Sequence, residues 1–579
     1  EREENKMMFK SKLSRWAERL SVEPVPAREL MLSNHDLEPV ERRRRQWGAW
    51  NFVGFWVADS FNINTWMVSS SMIIAGLSWW QAWICIWIGY FISSTLIVST
   101  GRIGAVYHIG FPVANRASFG IWGSLWPVFN RAVMDIKLAC GKRMALASVR
   151  PNDVLSCKSR YGLQCYIGGQ VVYLMIRSMS KSWDRTRMTG PFEPGVTSTP
   201  EFVSFVIFWV CSLPALWFPV HKIRHLFTVK AYVVPPAAIG FLAWAVVRAG
   251  GVGPILGQPS SLRGSELAWE MVRGIMTSIA NFSTLIVNDC DFTRFARRPV
   301  DAMWSQFLGI PICFAVTSFI GIIVSSSSTI IYGESIWDPV DLLGRFLDDG
   351  GAAQRFGVFV IAFAFALAQL GTNIAANSVS AGSDMAALLP RYINIRRGGY
   401  LCAVIGLAMC PYNLMSSANR FVTYLSSYSV FLSSIAGVII TDYYVVRRGF
   451  LDVGDLYHAR HSGPYYYTRG INFRAYVAYV AGILINVVGF AGAVGRQVPE
   501  AATYIYRLDF FCGLFVSSVV YWALCRLFPV QATSKHWMEV GDDIDDDEAL
   551  EEGSRSQSGE EAVEEGKNQA CLSEEKSHK

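Results

Sequence analysis

Between two polar ends the chain alternates long apolar runs with short charged or Gly/Pro-rich connections. About twelve runs lie near the ~20 residues that a helix needs to cross bilayer hydrocarbon. Their predicted limits are 50–73, 79–100, 120–136 continuing at 161–178, 202–220, 228–249, 267–288, 303–332, 356–380, 399–417, 421–444, 474–496 and 507–528. Lipid offers no partner to a backbone N–H or C=O, so runs of this length satisfy themselves as helices and not as open strands. The predicted fold class is an all-α polytopic membrane protein. Tyr107 to Gly123 (YHIGFPVANRASFGIWG) is too polar and too rich in Gly and Pro to span, and is expected to be re-entrant or interfacial.

The runs divide the chain into a polar tail (1–49), a membrane domain (50–530) and an acidic tail (531–579) that is expected to be disordered. Placing Arg42-Arg43-Arg44-Arg45 in the cytoplasm makes the even-numbered connections the basic ones, as the positive-inside rule requires. They carry Arg102 and Arg116, His221 to His225, Arg294 with Arg297 and Arg298, Arg391 with Arg396 and Arg397, and Arg447 with Arg448. Both ends are therefore expected in the cytoplasm. Lys181, Arg185 and Arg187 are an exception on the outer side.

Composition agrees with lipid as the main solvent. Hydrophobic residues make up 52% and charged residues 17%, against about 25% charged in soluble domains. The net charge of +6 reads as a topology signal, and no nucleic-acid partner is expected. The 12 cysteines are scattered without CxxC spacing and read as packing residues. His221 and His225 sit i, i+4 in a basic loop without a carboxylate, and Asp542 to Glu548 lacks the spaced ligands of a calcium loop. No metal site, cofactor or enzymatic constellation is predicted.

Polar groups inside spans are costly and mark candidate function. The first span holds Ala58-Asp59-Ser60-Phe61-Asn62-Ile63-Asn64-Thr65, which predicts a broken helix that frees backbone carbonyls. The sixth holds Asn281-Phe282, and the eighth holds Asn373 and Asn377 on one helix face. An amide offers a donor and an acceptor together, the complement of a nucleobase or ureide edge. Phe282 supplies a stacking face.

Long stretches carry a family resemblance. Asn34-His35-Asp36-Leu37-Glu38-Pro39, FWVADSFNINTW, GLSWWQAW, YHIGFPVANRASFGIWGSLWPVFNRAVM, NDCDFTRFARRP, GTNIAANSVSAGSD and SSYSVFLSSIAGVIITDYYVVRRG run through nearly all of the chain but its tails. The chain resembles the fungal uracil/allantoin/uridine permease branch of the nucleobase–cation symporter family 1. That resemblance implies a LeuT-like 5+5 inverted repeat plus two extra helices, with helices one and six broken around a midplane site. It implies substrate contacts at Asn62, Gln164, Asn281, Phe282 and Asn377, with Phe282 standing where bacterial relatives have tryptophan. It implies a cation site at Ala58, Phe61, Ala368, Gly371 and Thr372. Gly371 replaces an expected hydroxyl residue, so proton coupling is expected over sodium, with Asp59 a candidate carrier. The implied function is a plasma-membrane symporter that imports uracil or a related nucleobase or ureide. The alternatives are an allantoin, uridine or thiamine permease of the same fold, or a transport-dead or misassembled product. The resemblance also makes the tail lysines Lys6, Lys10 and Lys12 a handle for ubiquitin ligase machinery.

One departure is large. After Asp135-Ile136 the family pattern continues at once into a Trp-Tyr-Gly-Val-Gln motif, but here residues 137–160 (KLACGKRMALASVRPNDVLSCKSR) intervene before Tyr161-Gly162-Leu163-Gln164. An arginine or lysine at the centre of a span costs roughly 2.5–3.5 kcal/mol, so this stretch is expelled from hydrocarbon, and it reads as a gene-model artefact such as a retained intron. Transcript sequencing is expected to find a spliced form lacking most of 137–160. Transcripts that always retain it would make the missing tryptophan a true feature of this carrier.

Overall fold

The structure is a computed structural model that describes residues 26–136, 160–180, 182–183, 197–218, 220–408, 418–493 and 495–541. Helices dominate: among the described residues the extended pairings are two isolated bridges, Trp47 with Ala296 and Thr468 with Ile471. In chain order the main helices are α1 (Ala27–Leu32), α2 (Ala49–Ser60), α3 (Ile63–Ile74), α4 (Trp79–Tyr107), α5 (Phe111–Phe119), α6 (Leu125–Ile136) and α7 (Arg160–Met179). They continue as α8 (Thr199–Ser212), α9 (Val220–Arg248), α10 (Gly264–Asn288), α11 (Cys290–Thr293), α12 (Pro299–Tyr332), α13 (Pro339–Asp348) and α14 (Ala352–Thr372). The last are α15 (Ser380–Leu388), α16 (Ile395–Ala408), α17 (Ala418–Thr441), α18 (Phe473–Ala493), α19 (Glu500–Tyr506) and α20 (Asp509–Leu527).

Among the described residues eight helices are long and apolar enough to cross a membrane by length and composition. The remaining expected spans have local reasons to fall short. The first is cut at Phe61–Asn62, the third is divided between α6 and α7, α10 opens on Glu266, Glu270 and Arg273, and of the ninth, 399–417, only the part up to Ala408 lies within the described residues.

Packing pairs the halves of the chain. The first span (α2 and α3) and α4 pack against α10 and α12, the opening spans of the second half. Helix α7 packs against α8, α14 and α16, and α17, α18 and α20 form a third group. Close crossings need small residues where no side chain fits. At the α7–α16 crossing a Cβ on Gly162 would lie 2.5 Å from the Gly406 carbonyl oxygen.

Four expectations change here. Tyr107 to Gly123 does not lie at a lipid interface: α5 is buried along its whole length, and Arg116 donates to the carbonyls of Met31, Leu32 and Leu456 at 2.7–2.9 Å. Polar backbone at this depth is tolerated because protein encloses it. Helix α10 is not broken at Asn281–Phe282 but runs on to Asn288; the turn comes at Asp289, whose carbonyl accepts from the amides of Phe292 and Thr293, each at 2.9 Å. Helix α13 was not expected: Asp338 caps it by accepting from Val340 N at 2.8 Å, and it buries Leu342, Leu343, Phe346 and Leu347. The chain after 530 is packed as far as Gly541, with Glu539 held by Arg102 at 2.6 Å and Trp537 stacked on Tyr444. The insert 137–159, Lys6, Lys10, Lys12 and the acidic stretch from Asp542 lie outside the described residues.

Beyond α17 the chain is anchored by Arg447, which is fully buried. It donates to Asp442 Oδ2 at 2.9 Å, Tyr467 Oη at 2.6 Å, and the carbonyls of Ala117 and Ala532 at 3.0 and 2.8 Å. Removing one partner of a buried ion pair costs about 3–5 kcal/mol. Arg447→Ala is therefore expected to lower the thermal unfolding midpoint of the detergent-solubilised protein well below that of the surface variant Arg460→Ala. Equal midpoints would contradict this anchor.

Candidate functional site

The break in the first span sets the site. Asn62 has extended backbone (φ −136°, ψ 157°) and caps α3, its side-chain oxygen accepting from Thr65 N at 2.8 Å. The Asn62 amide turns back to Ser60 O at 2.9 Å. In an unbroken helix these two N–H groups would bond to Ala58 O and Phe61 O, four residues earlier. The capping asparagine thus releases the two carbonyls that the sequence singled out.

A lysine faces this break. Lys230 of α9 is fully buried, and its ammonium donates to Thr372 Oγ1 of α14 at 2.5 Å. The opposite charge that faces it is the buried Asp59. Its stem passes over Gly371, where a Cβ would lie 2.9 Å from Lys230 Cδ. Gly371 is therefore the residue that gives the lysine room. Ala368 and Thr372 are one turn apart on the same face of α14, and both are buried. Thr372, Gly371 and Asp59 thus stand about the Lys230 ammonium and its stem, and Ala58 and Phe61 flank Asp59 at the break.

The remaining candidates fall into two groups. In the first, Asn64 Nδ2 donates to Asn281 Oδ1 at 2.7 Å, which ties α3 to α10; Asn281 Nδ2 lies 3.5 Å from the Tyr90 hydroxyl. This pairing serves the Asn281 amide without opening α10. Phe282, only 1% exposed, packs edge-on to Tyr90 and Phe314 at 5.3 and 4.7 Å and against Trp56 at 5.8 Å. It belongs to an aromatic cluster on the α2–α4–α12 side.

The second group joins α7 to α14. From Thr372 the chain enters a π-helical stretch, Asn373–Val379, a wider winding frequent at functional sites. Asn377 Nδ2 donates to Asn373 Oδ1 at 3.0 Å, and Asn373 Nδ2 reaches Cys165 Sγ at 3.1 Å. Cys165 follows Gln164, whose Oε1 is buried without a hydrogen-bond partner among the described residues. One turn before Asn373, Gln369 is fully buried and both its amide atoms lack partners among the described residues. A buried orphan amide costs ~1–3 kcal/mol, so these groups are arranged for something that completes them.

Two cavities flank this frame. One of about 460 Å³ lies on the face with the N-terminal segment and is lined by Asp36, Arg294, Ile374, Ser378 and Arg396. The other, of about 310 Å³, lies beyond the far end of α7 and is lined by Gln170, Tyr173, Trp337, Asp341 and Arg345. At the start of α13, which supplies Asp341 to that lining, burial and then the neighbouring Asp341 push the Asp338 carboxyl well above the ordinary carboxylate range. Ser378 follows Asn377 and Gln170 lies further along α7 from Gln164, so the amide frame sits between the cavities.

Lys230, Asn64, Gln369 and Cys165 were not foreseen as site residues. A lysine and a glutamine inside apolar runs were the signals for two of them.

Comparison with known proteins gives a consistent result. A family described as permeases for cytosine/purines, uracil, thiamine and allantoin matches residues 39–142 and 159–513. The unmatched stretch, 143–158, lies within the expected insert. The chain is 44% identical to an allantoin permease of Saccharomyces cerevisiae over 88% of its length and 78% of that protein. It is 42% identical to the uracil permease of the same yeast, covering 91% of this chain and 82% of the relative. Among solved structures it resembles Mhp1, a nucleobase-cation-symport-1 family transporter in a closed conformation with bromovinylhydantoin bound. That likeness has a TM-score of 0.67 at 21% identity, covering 87% of this chain and 98% of the other, and it supports the fold.

Proposed function

The chain belongs to the permease family for cytosine/purines, uracil, thiamine and allantoin, and on that premise we propose that it imports uracil or a closely related ureide across the plasma membrane, driven by protons. It is a membrane transporter of LeuT-like fold and not an enzyme. Substrate, coupling ion and orientation are the proposed parts.

The observation that carries the coupling is Lys230. Its ammonium stands on Thr372, faces Asp59 and passes over Gly371. Thr372 and Gly371 are positions where the family resemblance implies the sodium site, and Asp59 is next to a third, Ala58. A fixed ammonium supplies the positive charge that a sodium ion would bring, and a second cation beside it would be repelled. Sodium is then unnecessary, and the proton gradient is the remaining drive.

For the substrate, Gln164 and Asn377 are the proposed hydrogen-bonding pair. The buried Gln164 Oε1 needs a donor, and an –NH–CO–NH– edge offers donors and an acceptor side by side. Uracil and allantoin both carry that edge. Asn62, Asn281 and Phe282 form the proposed opposite wall, where Asn281 already accepts from Asn64.

The inferred orientation puts both ends in the cytoplasm. Support comes from the bridge that joins the tail to the basic loop after α11: Trp47 N donates to Phe295 O and Arg297 N to Trp47 O, each at 2.9 Å. Arg42 to Arg45 therefore share a face with Arg294, Arg297 and Arg298, as the positive-inside rule asks. A ubiquitin-ligase role for Lys6, Lys10 and Lys12 fits that placement.

The test is uptake of labelled uracil and allantoin in a yeast lacking its own permeases, by the chain with and without residues 137–160. Uptake of at least one is expected. Replacing external sodium by choline should leave it unchanged, and a protonophore should abolish it. Asn377→Ala should weaken apparent affinity about tenfold, the equivalent of ~1.4 kcal/mol, at normal surface expression. Strict sodium dependence, or unaltered affinity in Asn377→Ala, would contradict the proposal.

A further inference from the structure

At the turn between α10 and α11 the chain buries an acid that no part of the site described above uses. Asp289 is fully buried. Its Oδ2 accepts from Gln306 Nε2 of α12 at 3.0 Å, and Gln306 Oε1 in turn accepts from Trp56 Nε1 of α2 at 3.0 Å. Its Oδ1 is buried with no hydrogen-bond partner among the described residues. Opposite it, α4 presents Gly101, where the carboxylate leaves no room for a side chain.

The other buried acids nearby each meet a cation. Asp291 and Asp384 hold Arg131, Asp442 holds Arg447, and Asp59 faces Lys230. Asp289 does not. From α12 it meets the neutral Gln306 and from α2 the neutral Trp56. From α4 the adjacent Arg102 is turned away to Glu539. From its own strand of chain come the Cys290 thiol, given to Thr100 O at 3.1 Å, and the like-charged Asp291. From the π-helical turn after α17 the Tyr444 hydroxyl is given to Ser99 O at 3.1 Å. An unpaired carboxylate in such surroundings is held as the neutral acid, and the orphan oxygen is where its proton has room to sit.

We propose that Asp289 carries the coupled proton. Its carboxylate takes a proton from the outer medium, forming an O–H bond and a neutral acid, and the occluded carrier holds it in that form. When the face with the N-terminal segment opens, water reaches the turn, the O–H bond breaks and the proton leaves to the cytoplasm. Position makes the event consequential. Two residues on, Asp291 accepts from Phe111 N at 3.0 Å and from Arg131 at 3.1 Å, and Arg131 also holds Asp384 on α15. A new negative charge at Asp289 would compete for that same arginine. The inference rests on proton-driven uptake and assigns its carrier to α10, leaving Asp59 as the partner of Lys230.

The test is Asp289→Asn, a neutral isostere, in cells and in proteoliposomes. The expected result is a carrier that still exchanges labelled for unlabelled substrate but no longer accumulates it. Uptake should lose its dependence on external pH, and substrate-evoked proton entry should vanish. Asp289→Glu should recover part of the pH dependence. An Asp289→Asn protein that accumulates substrate with the wild-type pH profile would overturn the assignment while leaving proton coupling itself intact. If wild-type uptake ignores the proton gradient, the functional proposal falls first. Should Asp289→Asn fail to reach the surface, a hydrophobic carbodiimide, which attacks the protonated acid, decides the matter on wild-type protein. Labelling of Asp289 that falls as pH rises, with matching loss of uptake, supports the role; labelling indifferent to pH overturns it.

Discussion

A charge buried in a membrane protein has to be answered by something fixed, and much of this structure follows from how the Lys230 ammonium is answered. It enters from α9, is received by Thr372 on α14, and faces Asp59 where the first span breaks. Three elements distant in sequence therefore share one polar junction in an otherwise apolar interior. Gly371 exists in that junction as an absence, since a side chain there would meet the lysine stem. The break itself is maintained by Asn62, which closes the end of α3 and leaves the Ala58 and Phe61 carbonyls outside the helical ladder.

The same rule organises the face that carries the N-terminal segment. Arg131 joins Asp291 to Asp384, which links α6 to α11 and α15. Arg294 donates to Asp36 O at 3.0 Å and so pins the tail segment. Arg447 ties α17 to α5 and to the chain past α20. These pairs are enclosed and geometrically constrained, so partial opening would strand a charge. That favours a face that is either shut or substantially rearranged, which suits a carrier with a cavity on each side of its central amides.

Much of this was legible in the sequence, unevenly. The break at Ala58 to Thr65 was readable because an acid and two asparagines interrupt an apolar run, and no lipid-facing helix tolerates them. Asn373 and Asn377 were readable from spacing alone. Lys230 was not recognised, because it lies close to the predicted start of its span at 228 and passed for an edge residue. The course of α10 was misjudged for a different reason: its break was expected from the family resemblance, whereas here the Asn281 amide is met by Asn64, far away in the sequence, and the helix runs on. The direction of Phe282 depended on which neighbours α10 has, and a linear pattern does not contain that. Helix α13 was hidden because its ten residues are too few for a span and read as connection.

If Lys230 stands in for a bound sodium ion, removing it while restoring the missing hydroxyl should recreate the need for that ion. The measurement is substrate uptake in sodium and in choline by the double variant Lys230→Ala/Gly371→Ser, beside the wild type. The expected result is a wild type indifferent to sodium and a double variant whose uptake is about tenfold or more higher in sodium, a difference of ~1.4 kcal/mol or above. A double variant that transports equally in both media, or a wild type that itself requires sodium, would contradict the role given to Lys230.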